Sequence, residues 1–143
     1  MKKRIVLLAA FMLLSLAACG KKESADSKTA QGYKDGTYSG EAEVKEVGGT
    51  IKLDITVSDG KITTVDMQNL DRDGKEKGED YGKSEPLNQG LYSIAQNSIL
   101  GTDKLPALLV ESQDPDSIDA VSGATLSREA FVQAAKAALD GAK

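Results

Sequence analysis

The sequence contains no histidine and no tryptophan, and its single cysteine is Cys19. Histidine is the commonest general base and metal ligand, so its absence argues against most acid–base chemistry and most transition-metal sites. A nucleophilic serine, for example Ser122, would lack its usual histidine partner. One cysteine also excludes an intramolecular disulfide. We therefore predict neither a catalytic residue nor a metal site.

The N-terminus has the pattern of an export signal. A Lys-Lys-Arg triplet precedes an apolar run at residues 5–18. As a helix this run would cover about 21 Å, less than the ~30 Å hydrocarbon core, which disfavours a permanent transmembrane helix. It ends in Leu-Ala-Ala-Cys at 16–19, which resembles a bacterial lipobox. We predict a lipoprotein signal peptide at 1–18 and lipidation of Cys19. The alternatives are a plain secretory signal and a buried core thiol.

The chain that remains after residue 18 is acidic. Residues 1–18 hold three of the 18 basic side chains and none of the 22 acidic ones, so about seven negative charges remain in excess. Such a chain is a poor candidate for binding nucleic acid or anionic lipid headgroups. Membrane attachment would therefore depend on the lipid of Cys19. Residues 20–32 are small, polar or charged, which predicts a flexible linker over 19–33, and 34–143 have the size of one domain.

The first half of this domain has strand patterns. Residues 33–47 have a moderate strand signal, and in 50–57 apolar and polar residues alternate strictly, which predicts a strand with one buried face. An Asp-Gly turn at 58–61 should join it to a partner strand at 62–70. The alternation slips once in this partner strand, which indicates a β-bulge. Residues 71–90 are polar and glycine-rich, which predicts a long loop.

The second half has helix patterns. Five residues mark one face of a first helix: Leu91, Ile94, Ala95, Ser98 and Ile99. A second helix should run from 102 or 103 to about 112, with Pro106 in its first turn. An amphipathic last helix should begin near Ser127. Strands followed by helices predict an α+β fold, a small curved antiparallel sheet packed against two to three helices.

The segment Ser122-Gly123-Ala124-Thr125 lies just before this last helix and has two interpretations. In the first, Thr125 or Ser127 caps the helix and Ser122-Gly123 makes the turn before it. In the second, the bare backbone lets a phosphate approach the free amides of a helix N-terminus, and the Thr125 hydroxyl carries that phosphate covalently. Spacing alone does not decide between them.

Residues 119–125, DAVSGAT, resemble the flavinylation motif of the FMN-binding domain family. This family includes the peripheral flavin subunits of the sodium-pumping quinone reductase and of Rnf complexes, and small extracellular electron-transfer flavin lipoproteins. The resemblance extends to GTYSGEA at 36–42, to 48–63 and to 104–127. It implies that residues 34–143 form an FMN-binding domain.

The resemblance also implies specific roles. Thr125 would carry FMN as a phosphoester that an exported FMN transferase installs from FAD. Asp119, Ser122, Gly123 and Ala124 would form the segment that this enzyme recognises. With lipidated Cys19, these roles predict a flavoprotein on the extracytoplasmic face of the cell membrane. It would relay electrons from a membrane donor, such as a quinone-linked dehydrogenase, to an acceptor.

Two features depart from the family pattern. Many relatives have a Thr-Pro-Gly turn near the flavin ring, whereas the 71–90 loop has Pro86 and Gly90 without this triplet. Relatives often have Thr-Ser two residues beyond the modified threonine, where this chain has Ser127-Arg128 and so keeps a hydroxyl for capping.

Two other functions remain open from the sequence. One is a lipoprotein binding module that holds a small ligand or a protein partner without redox chemistry. The other is a domain that reduces a small organic acceptor by itself. A domain of this size without histidine or a second cofactor motif favours an electron carrier over a complete reductase.

Overall fold

The computed structural model describes residues 32–143. The predicted signal peptide, the lipidated Cys19 and nearly all of the predicted linker lie outside this range. The strands are β1 (Gly36–Glu43), β2 (Thr50–Ser58) and β3 (Lys61–Leu70). The helices are α1 (Gln89–Thr102), α2 (Leu105–Ser112), a 3₁₀ turn (Pro115–Ser117) and α3 (Thr125–Asp140). No helix within residues 32–143 combines the length and the apolar character that crossing a membrane requires.

The three strands form one antiparallel sheet in the order β1-β2-β3. The predicted alternation in β2 is confirmed, because Ile51, Leu53, Ile55 and Val57 are all buried. The polar residues between them point to the other face of the sheet, as the two-residue period of a strand requires. The sheet therefore has one apolar face and one polar face.

The predicted hairpin and its bulge are both present. Asp59 and Gly60 have positive φ angles of 53° and 73°, as a two-residue type I′ turn requires. The register then slips: Val57 pairs with Ile62 but Thr56 pairs with Thr64, so Thr63 is the extra residue of a bulge in β3. The alternation slips in the sequence at this bulge.

Two helices cover the apolar face of the sheet, so the predicted α+β class is confirmed. Helix α3 packs on β1 and β2, α2 packs on β3, and α1 contacts α3. The predicted bounds of α2 are close to those observed, and Pro106 lies in its first turn. Helix α3 begins at Thr125, two residues before the predicted start at Ser127. Its buried face is mostly alanine, with Phe131 and Leu139 as the large side chains.

The contact between α3 and the sheet is unusually close at Gly40. A Cβ atom on Gly40 would lie 2.1 Å from the Ala134 carbonyl oxygen and 2.8 Å from the Ala138 nitrogen. Backbone atoms cannot yield to such an overlap without moving the helix. Glycine on β1 and alanine on α3 thus bring the helix axis down onto the sheet.

We expect Gly40→Ala to lower the free energy of unfolding by about 1–3 kcal/mol, because the added methyl group overpacks this contact. Urea unfolding followed by circular dichroism measures the change. Gly78→Ala is the control, since a Cβ there would have no atom within 4 Å. Equal effects of the two substitutions would contradict a close α3–β1 contact.

Candidate functional site

The sequence-predicted site residues lie together at the entrance to α3. Asp119, Ser122 and Gly123 are exposed, and Ala124 is buried. The Arg128 Nε atom donates to the Ile118 carbonyl oxygen at 2.9 Å, which ties this segment to the first turn of α3. Arg128, one of the two departures from the family pattern, thus has a structural role here.

Small residues in this segment allow close packing against α1. A Cβ on Gly123, whose φ is +80°, would lie 3.2 Å from the Asn97 carbonyl oxygen. A Cβ on Gly101 in α1 would lie 2.8 Å from the Ser122 carbonyl oxygen and 3.0 Å from the Ala124 Cβ. Gly123 also adopts the left-handed backbone that favours glycine. The small side chains therefore bring the start of α3 against α1.

The structure does not support the interpretation of Thr125 or Ser127 as a helix cap. Ala124 occupies the N-cap position, and no side chain makes a capping hydrogen bond. Thr125 and Ser127 are the first and third residues of the helix, where they lie past the cap. The sequence predicts that the Ser127 hydroxyl caps the helix, but it lies within the helix on a buried residue.

Thr125 is instead available for chemistry. Its side chain is exposed, and its hydroxyl makes no hydrogen bond to any residue of 32–143. The first helical hydrogen bond runs from the Arg128 amide to the Ala124 carbonyl at 2.7 Å, so the amides of residues 125–127 have no helical acceptor. A free hydroxyl therefore stands beside free amides at the positive end of the helix dipole.

A cavity of about 330 Å³ opens beside Thr125, within the size range of small-ligand sites. Its walls come from α1, from the start of α3, from the 71–90 segment and from one residue before β2. The lining residues are Val47, Lys77, Tyr81, Leu91, Ile94, Ala95, Ser98, Gly123, Thr125, Leu126 and Ser127. We call it the Thr125 cavity.

The predicted apolar face of α1 forms one wall of this cavity. Leu91 and Ile94 are 62% and 67% exposed, so they are not part of the hydrophobic core of the domain. The sequence pattern identified this face correctly but did not show what it faces. Large apolar side chains exposed beside a cavity are typical of a ligand-binding surface.

The 71–90 segment is held against α1 and makes a second wall. The Tyr92 hydroxyl donates to the Glu79 carbonyl at 2.8 Å, and the Gln96 amide donates to the Tyr81 carbonyl at 2.9 Å. A Cβ on Gly82 would lie 2.4 Å from the Ala95 Cβ. Side chains of α1 thus fix this loop in place.

Lys77 on this loop was not identified from the sequence. The residue is only 7% exposed, and its ammonium lies 5.0 Å from the centre of the Tyr81 ring, in reach of a cation–π interaction. Burial lowers the pKa of Lys77, although the negative charge of Asp71 partly opposes this shift. In the sequence, Lys77 is one of several charged residues in a polar stretch, with no pattern that marks it as buried.

Asn69 is a further buried polar group beside Lys77. The Lys77 amide donates to the Asn69 carbonyl at 2.8 Å, and the Asn69 side-chain amide has no hydrogen-bond partner among residues 32–143. Buried amides normally have partners, so this one marks a place where a water or a ligand atom is expected. In the Thr125 cavity itself, a free hydroxyl, free helix amides and an apolar wall together suit a cofactor with a phosphate and a large planar ring.

The model of the FMN-binding domain family matches residues 46–140. The chain belongs to this family. Membership identifies FMN as its cofactor and confirms the resemblance seen in the sequence. The matched residues include β2, β3, all three α-helices and every wall of the Thr125 cavity.

Two solved structures from clostridia are similar to this chain. The CPE2226 protein from Clostridium perfringens is 30% identical, with a TM-score of 0.60 over 77% of this chain and 88% of that one. A protein from Clostridium thermocellum, solved by NMR, is 31% identical over 77% of this chain and 92% of that one, with a TM-score of 0.48. Comparison with the curated proteins finds no match.

The packing of α1 against the start of α3 can be tested by two glycine substitutions in the same helix. Gly101→Ala should lower the free energy of unfolding by about 1–2 kcal/mol despite the higher helix propensity of alanine, because the new methyl group meets the Ser122 carbonyl. Gly90→Ala is the control and should be neutral or stabilising, since its nearest atom would be 3.5 Å away. Thermal and urea unfolding measure both, and a stabilising Gly101→Ala would contradict the contact.

The burial of Lys77 can be tested by NMR titration of chain labelled at the lysine Cε positions. We expect the pKa of Lys77 to lie below the ordinary lysine value of about 10.4. Between these two values the unfolded chain binds more protons, so the Lys77 contribution to the free energy of unfolding rises with pH through this window. Lys77→Met should remove that rise. A folded-state midpoint equal to that in urea-denatured chain would refute the burial.

Proposed function

We propose that the Thr125 hydroxyl carries FMN as a covalent phosphoester. One observation carries this proposal: the hydroxyl is exposed, has no partner among residues 32–143 and lines a cavity with an apolar wall. Membership in the FMN-binding domain family supplies the cofactor. A threonine that served only to cap α3 would stand at the N-cap, where this chain has Ala124.

The residues around Thr125 suit the two ends of the cofactor. The free amides of residues 125–127 and the positive end of the α3 dipole favour a phosphate group. Leu91 and Ile94 offer apolar surface to the flavin ring, whose burial there would remove apolar area from water. The same ring would cover two of the three exposed large apolar side chains of α1.

Attachment requires an enzyme and a flavin donor. In the proposed reaction the Thr125 oxygen forms a bond to the FMN phosphorus of FAD, the pyrophosphate bond breaks, and AMP leaves with the hydroxyl proton taken up by solvent. The exposed Asp119, Ser122 and Gly123 are accessible to the FMN transferase. Ala124 is buried, so it would contribute by letting the turn pack against Gly101.

We propose electron relay as the role of the loaded protein. Bound FMN accepts and donates one or two electrons, while the protein holds it in place and sets its electrostatic surroundings. Residues 32–143 contain no cluster of three or more side chains suited to holding a metal ion, and the chain has no histidine. A membrane dehydrogenase linked to quinone is the proposed donor, and an extracytoplasmic acceptor would receive the electrons.

The anchor belongs to the same proposal. A lipid on Cys19 would hold the protein on the extracytoplasmic face of the cell membrane, as the Leu-Ala-Ala-Cys sequence at 16–19 indicates. Tyr33, the last residue of the predicted linker, packs on the core and its amide donates to the Gly60 carbonyl at 3.1 Å. A flexible linker before Tyr33 would have a root-mean-square reach of about 20 Å. This reach would let the domain contact a membrane donor and an acceptor in turn. Covalent attachment would keep the flavin from diffusing away outside the cell.

Mass spectrometry tests the proposed attachment directly. Residues 20–143 are expressed with an active FMN transferase in the exported compartment, and intact mass is measured under denaturing conditions. We expect a gain equal to FMN less one water, because the phosphoester survives denaturation. Thr125→Ala should show no gain, since it removes the attachment oxygen.

Ser127→Ala is the matched control, because Ser127 carries a hydroxyl on the same cavity and should not be modified. It should retain the full mass gain. An unmodified wild-type chain, with the transferase active on another substrate, would refute the covalent proposal. A gain in Thr125→Ala that is lost in Ser127→Ala would move the attachment to Ser127.

A further inference from the structure

Lys77 is a nearly buried cation with no ion-pair partner among residues 32–143. Four salt bridges occur in this part of the chain. Each joins a lysine other than Lys77 to a carboxylate, and all of these side chains are exposed. Asp71 is near enough to favour the charged form of Lys77, but the two do not pair. Buried charges are normally paired, because removal from water is costly. An unpaired one that lines a cavity is therefore suited to a ligand with negative charge.

We infer that Lys77 supplies the positive charge that stabilises the reduced, negatively charged flavin ring in the Thr125 cavity and so raises the reduction potential of the bound FMN. This inference rests on the proposed attachment at Thr125. Lys77 would act as a positioned charge beside the ring and would form no bond to it. Separate contacts in the structure account for the burial of Lys77, for its position on the cavity wall and for its rigidity.

The ring is a better partner for Lys77 than the phosphate. The phosphate would be attached at Thr125, where the first amides of α3 already lack acceptors. Lys77 belongs to a different wall of the cavity, on the 71–90 segment with Tyr81. The negative charge that appears on reduction develops on the ring, so a cation on the ring's wall favours the reduced state over the oxidised state.

The surroundings of Lys77 hold it in place. Its amide bonds to the Asn69 carbonyl at the end of β3, and the Tyr81 ring lies under its ammonium. The Tyr81 carbonyl accepts a hydrogen bond from Gln96 in α1. The loop that carries the cation is thus fixed both to the sheet and to the helix that forms the apolar wall. A fixed charge requires little reorganisation when the ring changes its charge.

The test compares reduction potentials in the full-length chain, co-expressed with the FMN transferase and purified in detergent. Lys77→Met removes the charge and keeps the length of the side chain. Lys77→Arg keeps the charge. Lys75→Met is the matched control, because Lys75 is an exposed lysine on the same segment and does not line the Thr125 cavity. Intact mass first establishes that each variant carries FMN, and thermal unfolding establishes that each is folded.

We expect Lys77→Met to lower the ratio of reduced to oxidised flavin at a fixed potential about tenfold, which is about 30 mV for a two-electron couple. Lys77→Arg should restore most of this ratio, and Lys75→Met should leave it unchanged. An unchanged ratio in Lys77→Met would overturn the inference. An equal loss in Lys75→Met would also overturn it, because the effect would then come from net charge.

Two further outcomes separate this inference from the proposed function. If the wild-type chain gains no mass, the attachment at Thr125 fails, and Lys77 has no covalent flavin to act on. If the wild-type chain gains mass but Lys77→Met does not, Lys77 serves attachment and the inference about the ring is overturned. Because mass and potential are measured on the same samples, these results cannot be confused.

Discussion

The close contact between α1 and the turn before α3 is the constraint on which the site depends. Gly101 and Gly123 place no side chain of their own between the two segments, so the backbones approach closely, with the Ala124 methyl group packed beside Gly101. This contact sets where α3 begins and places Thr125 at the edge of the cavity that α1 lines. Packing thus requires the glycine and alanine of the motif, independently of any recognition by the proposed FMN transferase.

A second close contact fixes the other side of α3. Gly40 in β1 admits the backbone of α3 at Ala134 and Ala138, so the helix is held between the sheet and the turn. Rigid secondary structure on both sides gives the Thr125 hydroxyl a defined position. The loop at 71–90 is held in place differently, by hydrogen bonds from the side chains of Tyr92 and Gln96.

The composition of the cavity walls suits the proposed flavin site. Helix α1 leaves Leu91 and Ile94 open to solvent, and burial of these side chains under the proposed ring would be favourable. The protein as a whole is acidic, yet the charged side chain on the cavity wall is the cation of Lys77. Local charge in this site is therefore opposite to the average charge of the chain. A buried charge is screened only weakly by salt, so it would act strongly on a group bound beside it.

The sequence by itself determined the local structure of this protein. Alternation in residues 50–57, the Asp-Gly turn and the slip near Thr63 predicted the hairpin and its bulge, because these depend on neighbouring residues. The DAVSGAT motif pointed to the family and to Thr125, because it is a run of consecutive residues that can be recognised without the fold. Only the tertiary structure decided that Thr125 lies past the cap and that the apolar face of α1 lines a cavity. It also decided that Lys77 is buried, whereas the charged residues next to it in the loop are not buried. These features depend on contacts between segments far apart in the chain, and no local pattern of residue types encodes them.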